Sequence, residues 1–258
     1  MNNQLLSIHP EQETQRVVSF LKDTFAKQEI ENAVIGLSGG IDSTVSFFLL
    51  QQVLPPQNIH VTHMYYFQSA FAEIEKSVLE AGIPADNIHV KSIKDAVDEA
   101  AKLNGVNETE DDKIRIGNIA ARMRMIVLFD LAKKYKALVV GTENKSENLL
   151  SYFTRFGDQA SDIEPIEHLY KTQVYELAKY LQVPQSIIDQ NPTAGLWKGQ
   201  TDEGEFGFTY EEADQVLYLA LEKDISVENM IKQGLSNAEK ILLWRKRNLF
   251  KHQTPYTL

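Results

Sequence analysis

Two hydrophobic patterns alternate along the first half of the chain. Val17, Val18, Leu21 and Phe25 recur at helical spacing, which predicts an amphipathic helix over residues 11–27. Short and almost uninterrupted apolar runs predict strands at 32–37, 59–67, 87–90 and 136–141. The segments between these strands predict helices at 42–53, 70–82, 93–103 and 114–135, with Gly82 ending the second of them.

Alternating short strands and helices favour an α/β fold, a Rossmann-like parallel sheet with helices on both faces. Ligands of such sheets bind beyond the C-terminal ends of the strands, so we expect the chemistry in loops that begin near residues 38, 67 and 141. Further helices are predicted at 172–182, 210–223 and 236–247. We expect residues 1–258 to form a single domain.

Residues 191–208 are rich in glycine and acidic side chains and show no periodicity. This composition predicts a mobile loop that is disordered when no ligand is bound.

The long helix at 114–135 is apolar on more than one side. Its main stripe consists of Ile116, Ile119, Ala120, Met123, Ile126 and Val127, while Met125, Leu128 and Phe129 lie off that stripe. A helix of this kind is buried on more than one side. It is either an internal helix of the fold or a helix that packs on its own sheet and on a second subunit, and we favour the second interpretation.

Composition limits the chemistry that is available. The chain has 258 residues, 43% of them hydrophobic, a formal net charge of −10 and no cysteine. Disulfides, thiolate metal sites and cysteine nucleophiles are therefore excluded. An acidic protein is a poor default binder of nucleic acid or of an anionic membrane, so we expect neither partner. There is no apolar run of about 18 residues and no signal peptide, so we expect the protein in the cytoplasm.

One turn has the features of a phosphate-binding site. The sequence GLSGGIDS at 36–43 lies between a predicted strand and a predicted helix. Gly39 and Gly40 allow close approach of the backbone, and the amides at the helix start attract anions. Asp42 makes sense beside phosphate if Mg²⁺ lies between them. A tight turn with an Asp or Ser cap is the alternative, but SGGxDS arises by chance only about once per million positions.

The string SGGIDS resembles the pyrophosphate-binding motif of the N-type ATP pyrophosphatases. This superfamily has an adenine nucleotide alpha-hydrolase-like fold and includes amide-forming synthetases and tRNA-modifying enzymes. Its members cleave ATP between the α and β phosphates and adenylate a carboxylate or carbonyl oxygen, after which a nucleophile displaces AMP.

Segments further along the chain select one branch of that superfamily. They are GNIAARMRM at 117–125, GTENKSE at 141–147, YFTRFGD at 152–158, DIEPI at 162–166, LYKTQVYELAKYL at 169–181 and PTAGLW at 192–197. In this order they closely resemble the ammonia-dependent NAD synthetases, from about residue 10 to the end. The resemblance implies conversion of nicotinic acid adenine dinucleotide (deamido-NAD) to NAD with ATP, Mg²⁺ and ammonia, by a homodimer.

The resemblance also implies roles for individual residues. Asp42 and Glu147 would bind the metal, and both count as catalytic together with Asp158 and Lys171. ATP would contact Gly36, Leu37, Ser38, Gly39, Gly40, Ile41, Asp42, Ser43, Thr142, Lys171 and Thr193. The dinucleotide substrate would contact Arg122, Arg155, Asp162 and Lys251. Taken alone, each of these side chains has an ordinary alternative, such as a turn-forming Asp or a solvated lysine.

Three departures from the family pattern fall near these residues. Arg155 stands where lysine is more common, Gln159 and Ala160 replace two glycines, and Phe250 replaces a histidine. We also see no arginine between residues 60 and 70, where many relatives have one near the adenine, and we expect His60, His63 and His89 to occupy core or edge positions.

Two other functions fit part of the pattern. Another N-type ATP pyrophosphatase, for instance one that modifies tRNA, is disfavoured by the acidic charge. A nucleotide sensor without catalysis would retain ATP binding but is disfavoured by the presence of both Asp42 and Glu147.

Overall fold

The computed structural model describes residues 5–67, 71–107, 109, 112–193, 195, 197 and 199–252. Its centre is a four-stranded parallel sheet: β1 (Asn32–Gly36), β2 (Ile59–Tyr65), β3 (Ile88–Ser92) and β4 (Ala137–Val140). The strand order is β3-β2-β1-β4, so β1 lies between β2 and β4. Val34 of β1 pairs with His60 of β2 on one side and with Val139 of β4 on the other.

Twelve α-helices are present in the described ranges. They are α1 (Pro10–Gln28), α2 (Ile41–Leu50), α3 (Ala72–Glu80), α4 (Lys94–Leu103), α5 (Lys113–Tyr135), α6 (Lys145–Leu150), α7 (Lys171–Tyr180), α8 (Gln185–Ile188), α9 (Asp202–Phe206), α10 (Tyr210–Leu221), α11 (Val227–Lys232) and α12 (Ala238–Asn248). A short 3-10 helix, Leu249–His252, follows α12. In the described part of the chain, no helix is both long and apolar enough to cross a membrane.

The alternation of side chains along β1 explains why both faces are covered. Ala33 and Ile35 point into the large core cluster that α1, α2, α3 and α7 share, whereas Val34 points into the opposite cluster beside α5. Because all three side chains are fully buried, the strand reads as a continuous apolar run. The predicted α/β sheet with helices on both faces is confirmed.

A third apolar cluster lies in the C-terminal half. Tyr210, Phe206 and Phe208 pack with Leu150 and with side chains of α10, α11 and α12. The helix α10 contacts α6, α7 and α12, so this cluster fixes the C-terminal helices against the two helices that follow β4.

The strand order creates a topological switch point. From β1 the chain moves to β2 and then β3 on one side, and it returns through α5 to β4 on the other side. The loops that leave β1 and β4 therefore separate at the sheet's C-terminal edge and leave a crevice, which is where open α/β sheets bind ligands.

Several predicted boundaries change in the structure. The third strand lies at Ile88–Ser92 and is an edge strand with exposed positions, and Ile126 of the predicted buried stripe is 53% exposed. Gly82 follows α3 with φ of 73°, as predicted for a glycine that ends a helix. The helices α6, α8, α9 and α11 are additions to the predicted elements.

The segment 191–208 contains a helix, α9, and it buries Phe206 and Phe208. Residues 194, 196 and 198 of this segment lie outside the described residues. Its predicted mobility stays a prediction.

Candidate active site

The turn between β1 and α2 presents backbone amides at the crevice. Gly39 has φ of 93°, a conformation that glycine adopts without steric cost. The hydroxyl oxygens of Ser38 and Ser43 lie 3.1 Å apart. The Ser43 hydroxyl donates to the Gly40 carbonyl, and the Gly40 amide donates to Ser38 Oγ. The first amides of α2, at residues 41–43, have no acceptor within the helix by its geometry. The turn is thus built to receive an anion.

Buried neighbours hold this turn against the sheet. The Leu37 amide donates to the carbonyl of Thr62 at 2.9 Å, and His63 Nδ1 donates to the Leu37 carbonyl at 2.7 Å. Burial lowers the pKa of His63, so its imidazole is neutral. The sequence predicted a core or edge position for His63, and the structure adds that it supports the phosphate-binding turn.

Asp42, Glu147 and Lys171 meet at the crevice from three different elements. Asp42 lies in the first turn of α2, Glu147 in α6 and Lys171 at the first position of α7. Lys171 Nζ lies 2.5 Å from Asp42 Oδ2 and 3.2 Å from Glu147 Oε1. Only 2% of the lysine side chain is exposed, against 18% of each carboxylate side chain, so solvent reaches the acids and hardly the ammonium group.

The electrostatics of this cluster follow from burial and from the paired charges. The pKa of Glu147 is raised to about 8. Burial is the largest cause, Lys171 opposes the rise, and the Asp42 carboxylate adds to it. Burial by itself would lower the pKa of Lys171, but the carboxylates of Asp42 and Glu147 reverse this, so the pKa lies above its usual value. The lysine is therefore a permanent cation between the two acids.

Asn144 aligns the two acids. Its Nδ2 donates to Asp42 Oδ1 at 2.9 Å, and its Oδ1 accepts the Glu147 amide at 3.0 Å as the N-cap of α6. The side chain is fully buried. Sequence reasoning missed this residue, although an Asn three positions before Glu147 is a recognisable capping signal.

A second polar network lies next to Lys171. The Asp202 carboxylate accepts the hydroxyls of Tyr152 at 3.2 Å and of Tyr210 at 3.1 Å. The Tyr210 ring centre is 5.2 Å from Lys171 Nζ, which is within range of a cation–π contact. These contacts connect the start of α9 and α10 to the acid–lysine cluster.

The crevice also contains a pair of carboxyl groups that the sequence did not single out. Glu164 accepts the amide of Glu143 at 3.1 Å and the hydroxyl of Ser161 at 2.7 Å. Glu143 is 8% exposed, and its Oε1 finds no partner among the described residues. Burial, reinforced by the neighbouring acids, raises the pKa of Glu143 to about 9. Gly141 leaves room for this pair, because a Cβ there would overlap the Glu164 carboxylate.

The NAD synthase family matches residues 13–255. The chain belongs to the NAD synthase family. The sequence-based assignment to this family is confirmed.

Similar proteins cover almost the whole chain. An NH3-dependent NAD(+) synthetase of Fusobacterium nucleatum is 40% identical over 241 residues, which are 93% of this chain and 92% of that protein. The structure of an NMN synthetase from Francisella tularensis has a TM-score of 0.81 at 34% identity, covering 98% of this chain and 99% of the other. An NH3-dependent NAD synthetase from Campylobacter jejuni has a TM-score of 0.76 at 28% identity, covering 98% and 100%.

Four of the remaining candidate residues of this NAD synthase family member form a second group around residues 151–158. Lys251 Nζ donates to the carbonyls of Ser151 and Phe153, both at 2.9 Å. Arg122 Nε donates to the Arg155 carbonyl at 3.3 Å. The Asp158 carboxylate accepts the Thr154 amide at 2.8 Å. Lys251 and Asp158 thus hold backbone of this segment in the described structure.

Two of the departures from the family pattern are in contact with each other. The Arg155 guanidinium lies 5.4 Å from the centre of the Phe250 ring, which is 46% exposed. Sequence separation hid this relationship, because the two residues are 95 positions apart.

Asp162, Thr142 and Thr193 lie in loops and not in the helices that carry Asp42, Glu147 and Lys171. Asp162 Oδ2 accepts the Val139 amide of β4 at 2.8 Å, so it completes the edge of the sheet. Thr193 Oγ1 accepts the Gly195 amide at 3.1 Å in an exposed turn. Thr142 is half-buried just after β4. Their contacts with ATP or the dinucleotide stay predictions.

Sequence reasoning also missed Arg124. Its Nε donates to the Met64 carbonyl at 3.4 Å, near the C-terminal end of β2. The signal was present, since Arg124 lies two positions after Arg122 in the same family segment.

Proposed function

We propose that this chain amidates deamido-NAD to NAD, with ammonia as the nitrogen donor and with ATP cleaved to AMP and pyrophosphate. The observation that carries the proposal is the junction of the SGGIDS turn with Asp42, Glu147 and Lys171 at the switch point of the sheet. Membership in the NAD synthase family and the 40% identical NH3-dependent NAD(+) synthetase support the same reaction.

The turn would bind the phosphates of ATP. Its glycines let the chain approach closely, and the amides and dipole of α2 stabilise negative charge. Gly36, Leu37 and the hydroxyls of Ser38 and Ser43 would complete the contact, with Thr142 and Thr193 on other parts of the nucleotide.

Asp42 and Glu147 would hold Mg²⁺. In the described residues, no group of three or more His, Cys, Asp or Glu side chains is arranged to hold a metal ion by itself. Two carboxylates fit Mg²⁺ nevertheless, because this ion commonly takes one or two protein carboxylates together with phosphate oxygens and water. When bound, the cation would neutralise charge on the phosphates. Lys171, which contacts both acids, would neutralise charge on the departing pyrophosphate.

The reaction would proceed in two displacements. The nicotinate carboxylate attacks the α phosphorus, and pyrophosphate leaves. Ammonia then attacks the acyl carbon, and AMP leaves. Arg122, Arg155, Asp162 and Lys251 would position the dinucleotide, and Asp158 would take the proton from ammonium, since ammonia is the nucleophile.

The reaction is tested by measuring AMP and NAD with ATP, Mg²⁺, ammonium and deamido-NAD, each omitted in turn. We expect both products only when all four are present. ATP binding without AMP formation would support a sensor, and AMP formation with a different acceptor alone would support another ATP pyrophosphatase.

NMN is a second candidate product. The Francisella tularensis structure, with a TM-score of 0.81 and 34% identity, is that of an NMN synthetase. The same assay with nicotinic acid mononucleotide in place of the dinucleotide separates the two products. We expect a higher kcat/KM for the dinucleotide, and a higher value for the mononucleotide would replace NAD by NMN in this proposal.

The chain also fits a homodimer. Ile126 continues the stripe of Ile119 and Met123 on α5, yet it is 53% exposed. A second copy of the chain packed on this side of α5 would cover it, as the two-sided helix predicts. Sedimentation of the wild type and of Ile126→Glu tests this. We expect the wild type to be a dimer and the variant a monomer, and a monomeric wild type would contradict the proposal. A single domain and a cytoplasmic location stay predictions from the sequence.

A further inference from the structure

A fully buried acid connects the two helices that carry Glu147 and Lys171. Asp214 lies in the middle of α10 and has no exposed surface. Its Oδ2 accepts the amide of Thr172 at 2.9 Å and the hydroxyl of Thr172 at 2.8 Å. Its Oδ1 accepts the hydroxyl of Ser146. A carboxylate without solvent thus receives donors from both helices.

Those donors are the immediate neighbours of the candidate active-site residues. Ser146 precedes Glu147 in the first turn of α6, and Thr172 follows Lys171 in the first turn of α7. Ser146 Oγ also accepts the Lys171 amide at 2.8 Å, so the two helix starts are joined directly as well as through Asp214. A small shift of Asp214 would change the 3.2 Å contact between Lys171 and Glu147.

The charge of Asp214 suits this position. Burial raises its pKa to about 6, while the bonds from Ser146 and Thr172 lower it, so the carboxylate is ionised at neutral pH. The Thr172 amide that donates to it lies in the first turn of α7, at the positive end of that helix dipole. An ionised acid accepts these hydrogen bonds more strongly than a neutral side chain of the same shape.

A second acid, Glu222 at the C-terminal end of α10, contacts one further residue at each of the same two helix starts. Glu222 Oε1 accepts Lys145 Nζ at 2.6 Å and the Tyr170 hydroxyl at 2.8 Å. Lys145 begins α6, and Tyr170 caps α7. The helix α10 therefore holds the starts of α6 and α7 at two points.

We infer that Asp214 is a positioning residue for the proposed amidation: through Ser146 and Thr172 it sets the spacing of Glu147 and Lys171. The inference rests on the proposed function, because it assigns Asp214 to the same reaction. It acts through its neighbours, since its own hydrogen bonds go to Ser146 and Thr172.

The test compares Asp214→Asn, which keeps the shape and removes the charge, with Glu211→Gln, an exposed acid on the same helix. We expect Asp214→Asn to lower kcat for AMP formation by about 30-fold or more, since a misplacement of about 1 Å can cost a factor of about 100. The KM for ATP should change less than about threefold, because the turn at 36–43 is untouched. Glu211→Gln should match the wild type.

Ser146 provides an independent pair of variants if Asp214→Asn does not fold. Ser146→Ala removes the hydroxyl that joins Asp214 to the Lys171 amide, and Ser146→Thr retains it. We expect a fall in kcat with Ser146→Ala and recovery with Ser146→Thr, at unchanged KM for ATP.

Two results would overturn the inference. One is wild-type kcat in a folded Asp214→Asn or Ser146→Ala variant. The other is a parallel change of kcat, KM for ATP and melting temperature in these variants, which indicates a general loss of structure. A wild type that forms no AMP with either acceptor would instead contradict the proposed function, so the two failures are distinguishable.

Discussion

The ammonium group of Lys171 lies 2.5 Å from a carboxylate oxygen of Asp42, although the residues are 129 positions apart in the chain. The lysine is almost completely buried, and it holds Asp42 and Glu147 together at the end of the phosphate-binding turn. Because the pKa of Glu147 is raised to about 8, the cluster carries a net negative charge only when Glu147 is ionised. This charge is suited to a divalent cation that accompanies ATP.

Replacing Asp42 by Asn should nearly abolish AMP formation. The variant retains the shape but removes one of two proposed Mg²⁺ ligands and the partner of Lys171. We expect kcat to fall by about 100-fold or more, equivalent to about 2.7 kcal/mol of transition-state stabilisation. The matched control is Asp95→Asn, an exposed acid at the equivalent second position of α4, which should leave kcat unchanged. An active Asp42→Asn enzyme would contradict the metal role.

Replacing Lys171 by Met should make the protein respond more strongly to Mg²⁺. Without the ammonium group, the carboxylates of Asp42 and Glu147 lose their resident cation, so Mg²⁺, which favours the ionised form of Glu147, has no competitor for them. Ligand binding stabilises the folded state by RT ln(1 + [L]/Kd), so tighter binding raises the melting temperature further. Thermal melts with and without MgCl₂ measure this difference. Lys179→Met, which alters an exposed lysine of the same helix, should respond like the wild type. Equal responses of all three proteins would show that Lys171 and Mg²⁺ do not share these carboxylates.

The buried Glu143 should make the fold less stable as pH rises. Its pKa is raised to about 9, from the 4.5 of an ordinary glutamate, so the folded state binds the proton more tightly. The stabilisation is therefore complete below pH 4.5 and is lost as pH rises towards 9. Glu164, whose pKa burial raises to about 7, acts in the same direction.

Glu143→Gln tests this by urea unfolding at pH 6 and pH 9. The amide carries no charge. We therefore expect the free energy of unfolding of the variant to fall by about 1–3 kcal/mol less than that of the wild type between these pH values, given about 1.4 kcal/mol per pKa unit. Glu239→Gln, at an exposed position of α12, should follow the wild type. The same pH dependence in Glu143→Gln would exclude Glu143 as its source.

The contact between Arg155 and Phe250 should affect the dinucleotide more than ATP. An exposed cation–π pair contributes about 0.5–1 kcal/mol, and its loss frees the proposed substrate-binding arginine. We expect Phe250→Ala to raise the KM for deamido-NAD by about 2–5-fold, which is the factor that such an energy corresponds to. The KM for ATP should not change. Phe250→Tyr should retain wild-type values. The control is Phe20→Ala on α1, since Phe20 is also 46% exposed. Equal effects on both KM values would contradict a specific role.

Local pattern predicted the elements that are long or strongly periodic. The helix at 11–27 appears as Pro10–Gln28, and the four strands occur in the predicted order. The short helices α6, α8, α9 and α11 were not predicted, because their four to six residues are too few to show a helical period. The same limit applies to the site: Asp42 was recognisable from its turn and Asn144 only as a helix cap, whereas Asp214 carries no signal that separates it from ordinary polar residues.

By itself, the sequence determined the alternation of strands and helices, the glycine turn that leaves amides free for an anion, and the family. These properties depend on the identity of neighbouring residues, which local sterics and hydrophobic periodicity translate directly into structure. The tertiary structure alone decided which distant side chains meet. Lys171 lies between Asp42 and Glu147, Arg155 lies against Phe250, and Asp214 receives donors from two helix starts. Those contacts depend on strand order and helix packing, and burial then turns ordinary acids and lysines into a coupled charged cluster.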